Sequence, residues 1–175
     1  MSMNCCSTEP ATDERESTDI VAEIPDQRCR TCEGQSHPVS RKTVLLMLKP
    51  ELIEQAMAGM YSFCSASRCP VVYFEERGSQ VFTNDDLRVS VGVKASEDPI
   101  ALCYCFGFDE SHIRDEIGRT GNTTIPERIT RLIREGFCAC ETRNPSGACC
   151  LGEVNRAAKR FISSQRTVEQ GESSG

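Results

Sequence analysis

The sequence contains no tryptophan, and aromatic residues fill only 6% of its 175 positions. Nowhere does it offer the roughly 20 consecutive apolar residues that a membrane-spanning helix requires, so no membrane insertion is expected. A large apolar core is hard to build from such a chain. A unit of roughly 70 residues with this composition needs another source of stability, and bound metal is a common one. Basic residues are short too: Lys and Arg number 20 against 26 Asp and Glu, a formal net charge of −6. That balance leaves no electrostatic footprint for nucleic acid or an anionic membrane. The chain has no GxGxxG turn, no phosphate loop and no histidine beside a partnered nucleophile, so it is not expected to be an enzyme. Its start lacks the basic and apolar regions of a signal peptide, which makes the cytoplasm the expected location.

What the sequence does have is cysteine, 12 in all. In a reducing compartment, grouped cysteines mean metal or catalysis more often than disulfides. Cys5 and Cys6 lie in an acidic, hydroxyl-rich stretch over residues 1–27 that is too polar for a core and reads as a disordered tail. Cys29 and Cys32 form a CxxC pair, and Cys64 and Cys69 a second pair with four residues between. Two such knuckles separated by other structure are the arrangement of a four-thiolate zinc site. A thioredoxin-like role for the first pair needs a preceding strand, which the sequence does not offer. His37 reads as a loop histidine and not a ligand.

Between and after these pairs, residues 43–48 are apolar and β-branched enough for a strand. Pro50 then opens a helix with Leu52, Ile53, Ala56 and Met60 inward. Residues 70–82 read as a hairpin, and Leu87, Val89, Val91 and Val93 alternate with smaller or polar residues as in a half-buried strand. Residues 95–99 mark the boundary between a unit over 28–94 and one over 95–162.

The second unit opens with Cys103-Tyr104-Cys105. In extended backbone, residues i and i+2 point the same way, so these two sulfurs can be offered to one object. A disulfide inside such a triplet is disfavoured by the geometry that bridged cysteines need. Asp109 caps a helix with Ile113 and Ile117 on one face. Thr124-Ile125-Pro126-Glu127 reads as a capping box opening another, with Ile125, Ile129, Leu132 and Ile133 inward and Gly136 as its stop. Cys138 and Cys140 follow, then a turn at Asn144-Pro145-Ser146-Gly147, then Cys149 and Cys150 at the entrance of a helix with Leu151, Val154, Ala158 and Phe161 as its stripe. Free N–H groups at that entrance favour bound negative charge. His112 reads as a surface residue, and residues 163–175 as a second disordered tail. Spacing by itself leaves open whether this group holds zinc or an iron–sulfur cluster.

CYCFGF, a two-helix spacer and CACETRNPSGACCLGEV together resemble the amino-terminal region of the CopZ copper chaperones, a resemblance that extends upstream through Cys64, Cys69 and Val71-Val72-Tyr73-Phe74 to Cys29 and Cys32. That region carries a zinc site and a [2Fe–2S] cluster, and its cluster part is similar to the bacterioferritin-associated ferredoxin fold. The resemblance implies an α+β chain in which a small zinc-binding α/β unit with a β-hairpin precedes a small helical [2Fe–2S]-binding unit. It implies Cys103, Cys105, Cys140 and Cys150 as cluster ligands, with Cys138 and Cys149 as neighbours of equal chemistry, and Cys29, Cys32, Cys64 and Cys69 as zinc ligands. The function implied is electron transfer or metal delivery in copper handling, alongside a redox partner and a separate copper carrier or copper-transporting ATPase. No MxCxxC copper-binding motif is found in this sequence, so another metal, a protein-interaction module or an electron-donating subunit is the alternative.

Overall fold

The computed structural model describes residues 28–172. The tail expected over 1–27, with Cys5 and Cys6, and residues 173–175 lie outside the described residues. The fold is α+β: a four-stranded antiparallel sheet with one helix, followed by a two-stranded ribbon and four helices.

Residues 43–48, expected as a strand, are helical. Helix α1 (Arg41–Met47) starts because the Ser40 side chain accepts a hydrogen bond from the Thr43 amide at 3.1 Å, an N-cap. Thr43, Val44 and Met47 are buried, a one-three spacing that belongs to a helix stripe and not to an alternating strand. Pro50 does open a helical element, but it is a 3₁₀ helix (Pro50–Ala56) with only Ala56 buried, and Met60 is 55% exposed.

Strands β1 (Ser36–Val39), β2 (Tyr61–Cys64), β3 (Val71–Glu75) and β4 (Val81–Thr83) pair in sequence order, so the hairpin expected over 70–82 is present as β3 and β4. Tyr61, Phe63, Val72, Tyr73 and Phe82 from the sheet pack with Val44, Met47 and Leu48 into one core. A small separate cluster joins Val71 and Phe74 to Cys29, Cys64 and Cys69. The strand expected from Leu87 onward does not form. Its one ladder contact is a bridge between Leu87 and Leu48, after which the chain turns through a 3₁₀ segment, Gly92–Lys94. Leu87 and Val91 are buried but Val93 is 40% exposed, so the alternation does not describe one inward face.

The second unit begins with the ribbon β5 (Ala101–Cys103) and β6 (Phe108–Asp109). Asp109 caps α2 (Glu110–Thr120) as expected, accepting from the His112 amide at 3.1 Å. The capping box expected for α3 (Ile125–Arg134) is not formed. The Thr124 hydroxyl and amide both donate to the Glu116 carboxylate, at 2.9 and 3.1 Å, so a side chain from α2 replaces the local cap. Gly136, at φ 81°, ends α3: its amide donates to Ile133 O and that of Phe137 to Leu132 O, the paired bonds of a Schellman stop. Then come α4 (Cys140–Arg143) and α5 (Leu151–Glu172), which runs past the expected end at residue 162, so the part of the expected tail over 163–172 is helical and the rest lies outside the described residues. Ile113, Ile117, Ile125, Ile129 and Val154 form the core here, with Cys103, Cys140 and Cys150 among them.

Candidate metal centres

The first centre is built by two backbone knuckles. The Cys29 amide donates to Gly34 O at 3.0 Å and the Glu33 amide to Cys29 O at 2.7 Å, with Glu33 in the left-handed region at φ 56°. This loop precedes β1, whose pairing sets Ser36 opposite Cys64 at the end of β2. The link from β2 to β3 makes the second knuckle, closed by the Cys69 amide on Ala66 O at 3.2 Å. Sheet register therefore brings two distant pairs face to face. The sulfurs of Cys29, Cys32, Cys64 and Cys69 all lie within 4.8 Å of one another, with Cys29–Cys69 at 3.9 Å and Cys32–Cys64 at 3.7 Å. A tetrahedral zinc with 2.3 Å bonds puts ligand sulfurs about 3.8 Å apart, so the donor set fits. His37 is not in this group; its Nε2 meets Ser146 O at 2.8 Å.

Burial and hydrogen bonding act on the thiols of this centre in opposite directions. Burial pushes the Cys64 thiol up to about 12 and raises that of Cys69. Burial also acts to raise Cys29, but amide hydrogen bonds from Thr31 and Cys32 and contacts with Cys32 and Cys64 outweigh it and bring that thiol down. Lys94 Nζ lies at 2.8 Å from Ala66 O and 3.1 Å from Cys69 O, which sets an ammonium against the second knuckle.

The second centre gathers sulfurs from three places. Cys103 ends β5. Cys105 sits in the turn that follows, closed by the Gly107 amide on Cys103 O at 2.9 Å with Gly107 at φ 71°. The triplet is therefore not extended throughout, and its two sulfurs take different partners. Cys105 lies 3.8 Å from Cys140, which opens α4, while Cys103 interacts with Cys150, whose carbonyl accepts from the Val154 amide in the first turn of α5. Cys105 and Cys140 lie in a tight sulfur group whose members are within 4.8 Å of one another, a group that does not include Cys103 or Cys150; Cys150 interacts with Cys140 from beside it.

Cys138 belongs to that set as well. It lies 3.2 Å from Cys140 and within 4.8 Å of Cys105, a separation too short for two ligands on one tetrahedral ion with 2.3 Å bonds. Cys149 is exposed and stands outside the set. The neighbouring Cys150 thiol brings the Cys103 thiol down to about 6, while Cys103 and burial push Cys150 up. The Ala139 amide points at Cys105 Sγ from 3.4 Å. Burial in an apolar core is a common fate of a single cysteine. Three grouped sulfurs, with Cys103 and Cys150 interacting beside them and an amide facing Cys105, are a donor set for a soft cation or an iron–sulfur cluster. His112 is a surface residue paired with Asp109 at 2.8 Å. No helix among the described residues is long and apolar enough to cross a membrane.

The chain is similar to known proteins. Residues 26–88 match the CopZ zinc-binding domain family. The copper chaperone CopZ of Archaeoglobus fulgidus is 33% identical over 143 residues, an alignment covering 76% of this chain and 67% of that protein. The X-ray structure of the Archaeoglobus fulgidus CopZ N-terminal domain superposes with a TM-score of 0.61 at 32% identity, over 74% of this chain and 96% of that one.

Proposed function

Because this chain belongs to the CopZ family of copper chaperones, we propose that it is a non-enzymatic copper-handling protein with one structural zinc and one [2Fe–2S] cluster. Cys29, Cys32, Cys64 and Cys69 hold the zinc, closing the sheet at its knuckle end. Cys103, Cys105, Cys140 and Cys150 hold the cluster. The observation that supports the second assignment is the tight grouping of Cys105 and Cys140 at 3.8 Å, with Cys103 and Cys150 interacting beside them, four residues that would hold such a cluster through their thiolates.

When bound, such a cluster supplies a one-electron couple, the chemistry needed to bring Cu(II) to Cu(I) before transfer between thiolates. The chain's own groups hold the sulfurs and tune them. The Ala139 amide faces Cys105 Sγ, and Cys150 stands at the start of a 22-residue helix, where unpaired amides favour negative charge. The partners proposed are a redox protein that supplies the electron and a copper carrier or copper-transporting ATPase that takes the ion, in the cytoplasm.

Metal analysis and the visible spectrum of anaerobically purified protein test this directly. About two irons and one zinc per chain, with the absorption of a thiolate-held cluster, are expected. Colourless protein holding two zincs after iron and sulfide have been supplied would overturn the cluster assignment.

A further inference from the structure

The loop between Cys140 and Cys150 is held from outside its own unit. Three groups of the sheet and its helix reach it. The Thr43 hydroxyl donates to Glu141 O, the Tyr73 hydroxyl to Pro145 O at 2.6 Å, and His37 Nε2–H to Ser146 O at 2.8 Å. Thr43 is fully buried, and because its proton goes to Glu141, the Ser40 hydroxyl at 2.7 Å must donate to it in turn. Tyr73 and Pro145 are also fully buried, so the bond between them has no water to exchange with. Gly147 passes so close to β1 that a side chain there would meet Val39 Cγ2 at 3.1 Å.

The other ligand-bearing turn is tied the same way. Tyr104, between Cys103 and Cys105, donates to Ser90 O at 2.9 Å and accepts from the Gly92 amide at 2.8 Å. Tyr73 lies on β3, the strand that leads away from Cys69, and its neighbours Val71 and Phe74 pack on Cys29, Cys64 and Cys69. One strand thus touches the first sulfur group with two side chains and the loop of the second with a third.

We propose that Tyr73 is a positioning residue for the cluster: its hydroxyl, with Thr43 and His37, fixes the loop that sets Cys140 relative to Cys150, so that cluster retention depends on the zinc-bearing sheet. This rests on the assignment of Cys103, Cys105, Cys140 and Cys150 as cluster ligands. A second-layer hydrogen bond of this kind commonly changes metal retention by about tenfold or more when removed.

The test uses the full chain loaded with both metals. Tyr73→Phe keeps the ring and deletes the donor. Its zinc content should equal that of wild type, while iron release to a chelator speeds up by about tenfold and the visible circular dichroism of the cluster changes. Extracting zinc from wild type with a zinc-selective chelator should speed iron release in the same direction. Val72→Ala, which trims the core of the same sheet but keeps the three bonds to the loop, should leave both readouts near wild type. Wild-type release and spectrum in Tyr73→Phe, or an equal effect from Val72→Ala, would overturn the positioning role. Wild-type protein with no cluster spectrum at all would sink the ligand assignment and this inference together, which separates the two failures.

Discussion

The two sulfur groups differ in how they are closed. The first has four cysteines delivered by backbone knuckles at the ends of strands, with three of the four buried. The second has a fifth sulfur in contact, takes its members from a turn, a short helix and a helix entrance, and relies on the other unit to hold two of its loops. Closed four-ligand sites are characteristic of structural metal, whereas sites that work keep a position open or a donor in reserve. On the proposed assignment, the first centre would make the fold and the second would be placed upon it.

The sharpest way to break this contrast is to take away zinc. Structural zinc sites bind with about 10–16 kcal/mol, as much as or more than the whole stability of an ordinary domain, so Cys64→Ser should abolish zinc binding and protected amides over residues 28–94. Hydrogen exchange with metal analysis reads both, and a protected sheet without zinc would show that the first centre is dispensable. Next comes the division among the later cysteines. Cys103→Ala, Cys105→Ala, Cys140→Ala and Cys150→Ala should each remove the visible spectrum, while Cys138→Ala and Cys149→Ala keep it. A bleached Cys138→Ala would move that residue from reserve to ligand.

A smaller effect is expected from packing. Ile113 is fully buried between α2 and α5, and Ile113→Ala should cost about 2–5 kcal/mol in denaturant unfolding of the helical unit while leaving zinc content unchanged. The smallest concerns the cap that α2 lends to α3. Hydrogen bonds from Thr123 and Thr124 hold the Glu116 carboxyl below its ordinary 4.5. A carboxyl lowered by folding adds stability above its unfolded pKa and loses it as pH falls through the folded one. The stability gap between wild type and Glu116→Gln should therefore be present at pH 6 and close on acidification below about 4.5; a gap that persists at pH 3 would assign the effect to shape and not to charge.

Cysteine spacing made both groups visible in the sequence because chelation restricts which residues can stand together, whatever the backbone between them does. Helices α2, α3 and α5 were legible for a similar reason: Ile113 with Ile117, Ile125 with Ile129, and Val154 with Ala158 recur at helical intervals. Residues 43–48 misled because β-branched and apolar composition spoke for a strand while Ser40 as a cap, and the spacing of Thr43, Val44 and Met47, spoke for a helix. Residues 87–93 alternate in polarity without a neighbouring strand to satisfy them, and no local pattern reports a missing partner. Tyr73, Thr43 and Tyr104 were invisible as functional residues, since each acts through a carbonyl or amide far along the chain. An aromatic between two cysteines is the one signal that pointed at Tyr104.

Lys94 carries a consequence for charge balance. Zinc with four thiolates is formally a dianion, and a surface that exposes such a group invites both protonation and attack by electrophiles. Lys94 is anchored by the carbonyls of Ala66 and Cys69 and also lies 5.9 Å from the centre of the Phe63 ring. Its ammonium acts against the burial that raises the Cys64 thiol, which would favour the thiolate form needed to hold a metal. Lys94 would thus act as a built-in counterion to a four-thiolate zinc held there.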